Sequence, residues 1–182
     1  MLIRMELPHL YEVRRLEELS APASLPLLHF SPGNSPGNGE HLLLEFTPPT
    51  SAAWIGSFAC GISSGTALTM VLSSPDPLIA FVVAGGIGYS VHVNSPEQCQ
   101  LLPVSPVMFV EVLSQEGMAV LGSGNALAVY DAKGLVWFKR VVESDLKLQS
   151  ISEGLIHFSG LDTEAGQPVR LSAELGSGRK VG

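Results

Sequence analysis

The chain has 182 residues, of which 46% are hydrophobic and only 15% charged, a balance that supports a buried core and excludes wholesale disorder. Ten Lys and Arg against 17 Asp and Glu leave a net charge of -7, a field that repels a phosphate backbone and excludes nucleic acid as an expected partner. No apolar run reaches the roughly 18 residues of a membrane span, and the opening MLIRMELPHLYEVRRLEEL is too charged for a secretory signal, so no membrane association and a cytoplasmic location are expected.

Residues 1–40 read as a helix and a loop packed on the core. From Pro8 to Ser20, Leu10, Val13, Leu16 and Leu19 recur at three-residue steps, with Arg14, Arg15, Glu17 and Glu18 between them. That spacing predicts a short amphipathic N-terminal helix. The stretch SPGNSPGNGEH follows, and its prolines and glycines predict an exposed loop rather than regular structure.

From His41 the texture changes to short runs rich in Val, Ile, Leu, Phe, Tyr and Thr, separated by Gly, Pro, Asn, Asp and Ser. Thirteen of these runs, from HLLLEF to PVRLSAEL, have strand length and none has the length of a helix. Alternation is visible in YSVHV and LAVYD, where one set of side chains would face a core and the other a second layer or solvent. Residues 41–176 are therefore expected to form an all-β, antiparallel domain, with 177–182 as a flexible basic tail.

A longer regularity lies over this pattern. GYSVHVNSPEQCQLL and ALAVYDAKGLVWFK align as strand, polar turn and strand, with Asn94 and Asp131 at equivalent positions, and GLDTEAGQPVRLSAEL echoes them further on. Repeats of this period suggest propeller-like blades, with a β-sandwich as the alternative. The segment LAVYDAKGLVW, Leu127 to Trp137, resembles the blade motif of quinoprotein-type β-propellers, in which a strand ends in an Asp-containing turn with Gly and the next strand carries a Trp. The turn is one residue shorter than in that family and only one copy carries the Trp. The resemblance implies strand, turn and strand and says nothing about a quinone cofactor; Trp137 is expected to be a structural blade residue.

Two glycine-rich stretches carry the motifs that point to chemistry. GISSG, Gly61 to Gly65, has the spacing of a nucleophile elbow, and the order Ser63, Asp145, His157 meets the chain order of a hydrolase triad. The segment after it, TALTMVLSSPDP, reads as a strand where an elbow needs a helix, so a turn between strands is the favoured reading. VVAGGIGYS lacks the Lys and Ser/Thr of a phosphate loop and reads as a hairpin turn. Cys60 and Cys99 lack metal-ligand spacing and are expected as buried free thiols, and the five histidines are scattered. Glu143 with Asp145, and Asp162 with Glu164, lie as neighbours along one strand rather than across a cleft, and read as solvated charges. No metal and no cofactor are expected.

The function these readings favour is a non-catalytic β-rich interaction module, open at its strand edges and therefore completed by a protein partner or a homodimer. The alternatives are a small serine hydrolase using Ser63, His157 and Asp145, and a binder of small ligands in a pocket around Trp54 and Trp137.

Overall fold

A computed structural model of the chain describes residues 1–19, 25–33, 39–61, 67–162 and 167–181. Its strands in chain order are β1 (Leu2–Arg4), β2 (Glu12–Leu16), β3 (Leu27–Phe30), β4 (His41–Thr47), β5 (Trp54–Ala59), β6 (Met70–Ser73), β7 (Ile79–Ala84), β8 (Ile87–His92) and β9 (Gln100–Leu101). They continue with β10 (Phe109–Leu113), β11 (Met118–Gly122), β12 (Ala126–Asp131), β13 (Gly134–Arg140), β14 (Ser144–Ser152), β15 (Leu155–Asp162), β16 (Gln167–Glu174) and β17 (Lys180–Val181). The fold is all-β; a single 3-10 turn at Pro96–Gln98 is the only helical element among the described residues. The thirteen apolar runs each hold one strand, β4 to β16, in order.

The strands form four mostly antiparallel sheets, none closed into a barrel. Sheet I has the order β2-β4-β5-β3 and sheet II the order β1-β6-β7-β8-β9. Sheet III is β10-β11-β12-β13 and sheet IV is β14-β15-β16-β17. Their side chains explain how they are arranged. In β7, Ala80, Val82 and Ala84 enter one core with β4 and β5, while Phe81 and Val83 enter a second core with β11 and β12. In β12, Ala128 and Tyr130 belong to that second core, while Leu127 and Val129 belong to a third with β15 and β16. Sheets II and III are thus buried on both faces, which is why LIAFVVA and ALAVYD are almost continuously apolar. In LAVYD the two alternating sets of side chains face two cores, so of the second layer and the solvent that the alternation allows, it is a second layer that covers the other face.

The end sheets read differently. β4 alternates, with Leu42, Leu44 and Phe46 inward and His41, Leu43 and Glu45 outward. In sheet IV, Ile156 and Phe158 face the third core. The opposite face carries polar pairs instead, His157 against Ser172 and Ser159 against Arg170. Such a face can end a stack of sheets in water.

The expected N-terminal helix is absent, and residues 12–16 are β2. Its three-residue pattern fails because Leu10 and Leu19 remain exposed, so no continuous apolar stripe is buried. The edge of β4 offers a full antiparallel ladder from Glu12↔Thr47 to Leu16↔Leu43, and Arg14 reaches Glu45 across it at 2.7 Å. The basic tail includes a short strand. β17 pairs with β16, and Arg179 is ion-paired to Glu174.

β1 joins sheet II rather than sheet I. It lies parallel to β6, Leu2↔Met70 to Arg4↔Leu72, and extends that sheet at its first strand. Leu7 then donates its buried N–H to Ser73 Oγ at 2.9 Å, and Tyr11 donates its hydroxyl to the Ile79 carbonyl at 3.2 Å.

The repeat spacing also has a structural cause. GYSVHV with CQLL is β8–β9, and ALAVYD with LVWFK is β12–β13, so the 37-residue interval between Asn94 and Asp131 is the step from one sheet to the next. The third echo falls one strand early, on β15–β16; the equivalent pair in sheet IV is β16–β17.

Candidate functional site

Sheets III and IV share a dry core, but their first strands do not pair with each other. Among the described residues β10 pairs only with β11, and β14 only with β15. Between these two edges lies a cavity of about 720 Å³, walled by Phe109, Glu111 and Leu113 on one side and by residues 146–151 on the other. Its shape follows from strand alternation. Phe109, Glu111 and Leu113 share the face of β10 that looks toward sheet IV, while Val110 and Val112 turn to the core with sheet II. Leu146 and Leu148 project from β14 into the same third core, so the floor of the cleft is continuous with packed aliphatic side chains.

The charges at the cleft are few. Glu111 and Lys147 stand on opposite walls, both exposed. Beside the cleft, Arg4 crosses from sheet II to donate from Nη1 to the Val110 carbonyl at 3.2 Å, and its Nε meets Glu6 at 2.7 Å. The hydrogen bond to Glu6 raises the pKa of the guanidinium, with Glu6 and Glu111 adding electrostatically, and the same bond lowers the carboxyl of Glu6.

The residues singled out in the sequence are dispersed. Ser63 lies outside the described residues, as do Asn34 to Asn38 of the SPGN loop and Glu164. His157 sits on β15 with its Nδ1 at 2.8 Å from Ser172 Oγ. Its partner across the ladder is Ser150, five positions along β14 from Asp145, a separation of about 16 Å at strand rise. The structure does not bring Asp145 to the imidazole.

Trp54 and Trp137 do not share a pocket either. Trp54 is in the first core and donates its indole N–H to the Val93 carbonyl at 3.0 Å. Trp137 is in the third core and donates to the Leu175 carbonyl at 2.7 Å. Each indole ties one sheet to the chain leaving the third long strand of the next, β8 or β16.

Two of the smaller cavities carry titratable side chains of the kind that could do chemistry. One of about 410 Å³ lies between β3 and β9, with His29, Tyr89 and Cys99 in its wall. Burial pushes the Cys99 thiol up to about 12 and raises Cys60 as well, so both stay protonated at neutral pH. The other, of about 380 Å³, has Asp76 and Asp131 at its rim, but one oxygen of each already accepts a backbone N–H, from Leu78 and Lys133. Among the described residues no three His, Cys, Asp or Glu side chains gather as metal ligands, and no helix is long and apolar enough to cross a membrane.

The cleft residues escaped the reading of the sequence, although a signal was present. VMFVEVL places one acid, Glu111, in an otherwise apolar strand, and on a two-residue period it shares a face with Phe109 and Leu113. No protein-family model matches the chain, and none of the curated proteins matches it.

Proposed function

We propose that this chain is a non-catalytic protein-interaction module that holds an extended polypeptide segment in the cleft between β10 and β14. The observation that carries the reading is the combination of a cavity of about 720 Å³, apolar over most of its lining, with an edge strand on each wall that pairs with no further strand among the described residues. Unpaired edges supply backbone hydrogen bonds in strand addition, and the apolar floor supplies side-chain burial. Sheets III and IV are four-stranded antiparallel meanders and β6 to β9 of sheet II form another, which supports the further reading of an open arc of propeller-like blades.

The test is selection of a displayed random heptapeptide library on the purified chain. Enrichment of peptides with aliphatic residues at alternate positions is expected. It should vanish on Glu111→Trp, which fills the cleft from an exposed position on its β10 wall, and persist on Leu135→Asp, at an exposed site on β13. Peptides that bind both variants equally would place the interaction elsewhere and remove the cleft from the function.

A further inference from the structure

Only one wall of the cleft is built to accept a strand. β14 shifts register twice against β15, between Ser144 and Lys147 and between Leu148 and Ser150, and Asp145 has a φ of 53°. Bulges bend and twist an edge away from further pairing. The N–H of Leu146 is also taken, donated to the Gly124 carbonyl at 2.9 Å.

β10 is the opposite case. It runs beside β11 in unbroken register from Phe109↔Gly122 to Leu113↔Met118. The Val110 carbonyl points away from β11 and already gives one of its two lone pairs to Arg4 Nη1, which leaves the other to accept from a docked strand. Alternation directs the N–H of Val110 and both backbone groups of Val112 the same way. The molecule itself shows how such an edge is filled, since β1 lies on the first strand of sheet II and Arg4 ends it beside β10.

The chemistry of the occupant follows from the side chains it would meet. A strand laid on β10 presents alternate residues beside Phe109, Glu111 and Leu113. Aliphatic groups match the outer two, and a cation matches the exposed carboxylate between them, in a chain whose net charge of -7 draws cations toward it. We infer that the bound segment pairs its backbone with β10, not β14, and carries the pattern aliphatic-x-Arg/Lys-x-aliphatic, with the basic residue opposite Glu111. This rests on the cleft reading and adds to it the docking strand and the class of partner.

The experiment uses the full chain, its Glu111→Lys variant, and the blocked peptide acetyl-Ser-Val-Thr-Arg-Thr-Val-Ser-amide with analogues bearing Ala or Glu at the centre. The Arg peptide is expected to bind the native chain roughly three- to tenfold more tightly than the Ala analogue, and Glu111→Lys should invert the preference toward the Glu analogue. Amide exchange should slow at Val110 and Val112, and not along residues 147–151. Equal binding of the three peptides, a preference unmoved by Glu111→Lys, or protection on β14 would overturn the inference and leave the cleft reading standing. No binding by any of the three removes both. Self-association of the free chain with protection of β10 would put a second copy in the cleft and overturn the proposed partner.

Discussion

Gly122 on β11 leaves the space that the ring of Phe109 on β10 fills. The two are register partners, and a Cβ built on Gly122 would overlap the ring. An aromatic laid over a glycine of the neighbouring strand is a known way to pin register in a sheet. Here it also fixes the ring at one end of the cleft. Gly122→Ala should therefore expel Phe109 from its seat and cost about 1–3 kcal/mol of stability. A urea unfolding midpoint equal to that of the native chain would show that the ring has somewhere else to go.

The two tryptophans lend themselves to a joint prediction. Each indole N–H reaches a carbonyl of the adjacent sheet, and the two sit in different cores. Trp54→Phe and Trp137→Phe keep an aromatic ring but orphan a buried carbonyl, so each should destabilise by about 1–3 kcal/mol. Because the sites share no partner, the double variant should equal the sum of the singles within about 0.5 kcal/mol. A larger coupling would mean that the sheets transmit strain across the stack.

Ser73 holds the N-terminal segment in place. Its hydroxyl accepts the buried N–H of Leu7, a contact between residues 66 positions apart. Ser73→Ala leaves that N–H without its acceptor and should cost about 1–3 kcal/mol. Faster amide exchange at Leu7 in the variant is the matching local readout, and unchanged exchange there would argue that the segment is held by its side chains alone.

What the sequence made legible tracks how local each signal is. β4 to β16 were readable because each is a short apolar run closed by turn formers, as with LIAFVVA before Gly85 and Gly86. β2 was misread because EVRRL carries only Val13 and Leu16 as apolar anchors, and its partner β4 lies about thirty residues away in sequence. Neither the three-residue period nor propensity reports such a pairing. The cleft was hidden for a related reason. Glu111 and Leu148 are unremarkable on their own strands, and only the stacking of sheet IV on sheet III brings β10 and β14 to opposite sides of one space.

The buried acids of the core give the last prediction, a loss of stability in alkali. Burial pushes the Cys99 thiol from 9.0 up to about 12 and the Tyr130 phenol from 10.0 up to about 12, and it raises the phenols of Tyr11 and Tyr89 as well. Tyr11 and Tyr89 donate their hydroxyl protons to the carbonyls of Ile79 and Ala59, so an ionised oxygen in either place would face a carbonyl oxygen. The folded values lie above the unfolded ones. Below about pH 9 both states hold these protons and stability is unaffected by them. Above it the unfolded chain releases protons that the folded chain retains, so the unfolded state binds fewer and the free energy of unfolding falls as pH rises toward about 12. Each group contributes a slope of at most about 1.4 kcal/mol per pH unit within that window. Urea midpoints should be level up to about pH 8.5 and then decline, with tyrosinate absorbance from these residues appearing together with unfolding. Tyr89→Phe should be less stable than the native chain at neutral pH, having lost its hydrogen bond to Ala59, yet lose stability less steeply in alkali. Tyrosinate absorbance that rises smoothly at an ordinary phenol pKa in the folded protein would contradict the burial of all three rings.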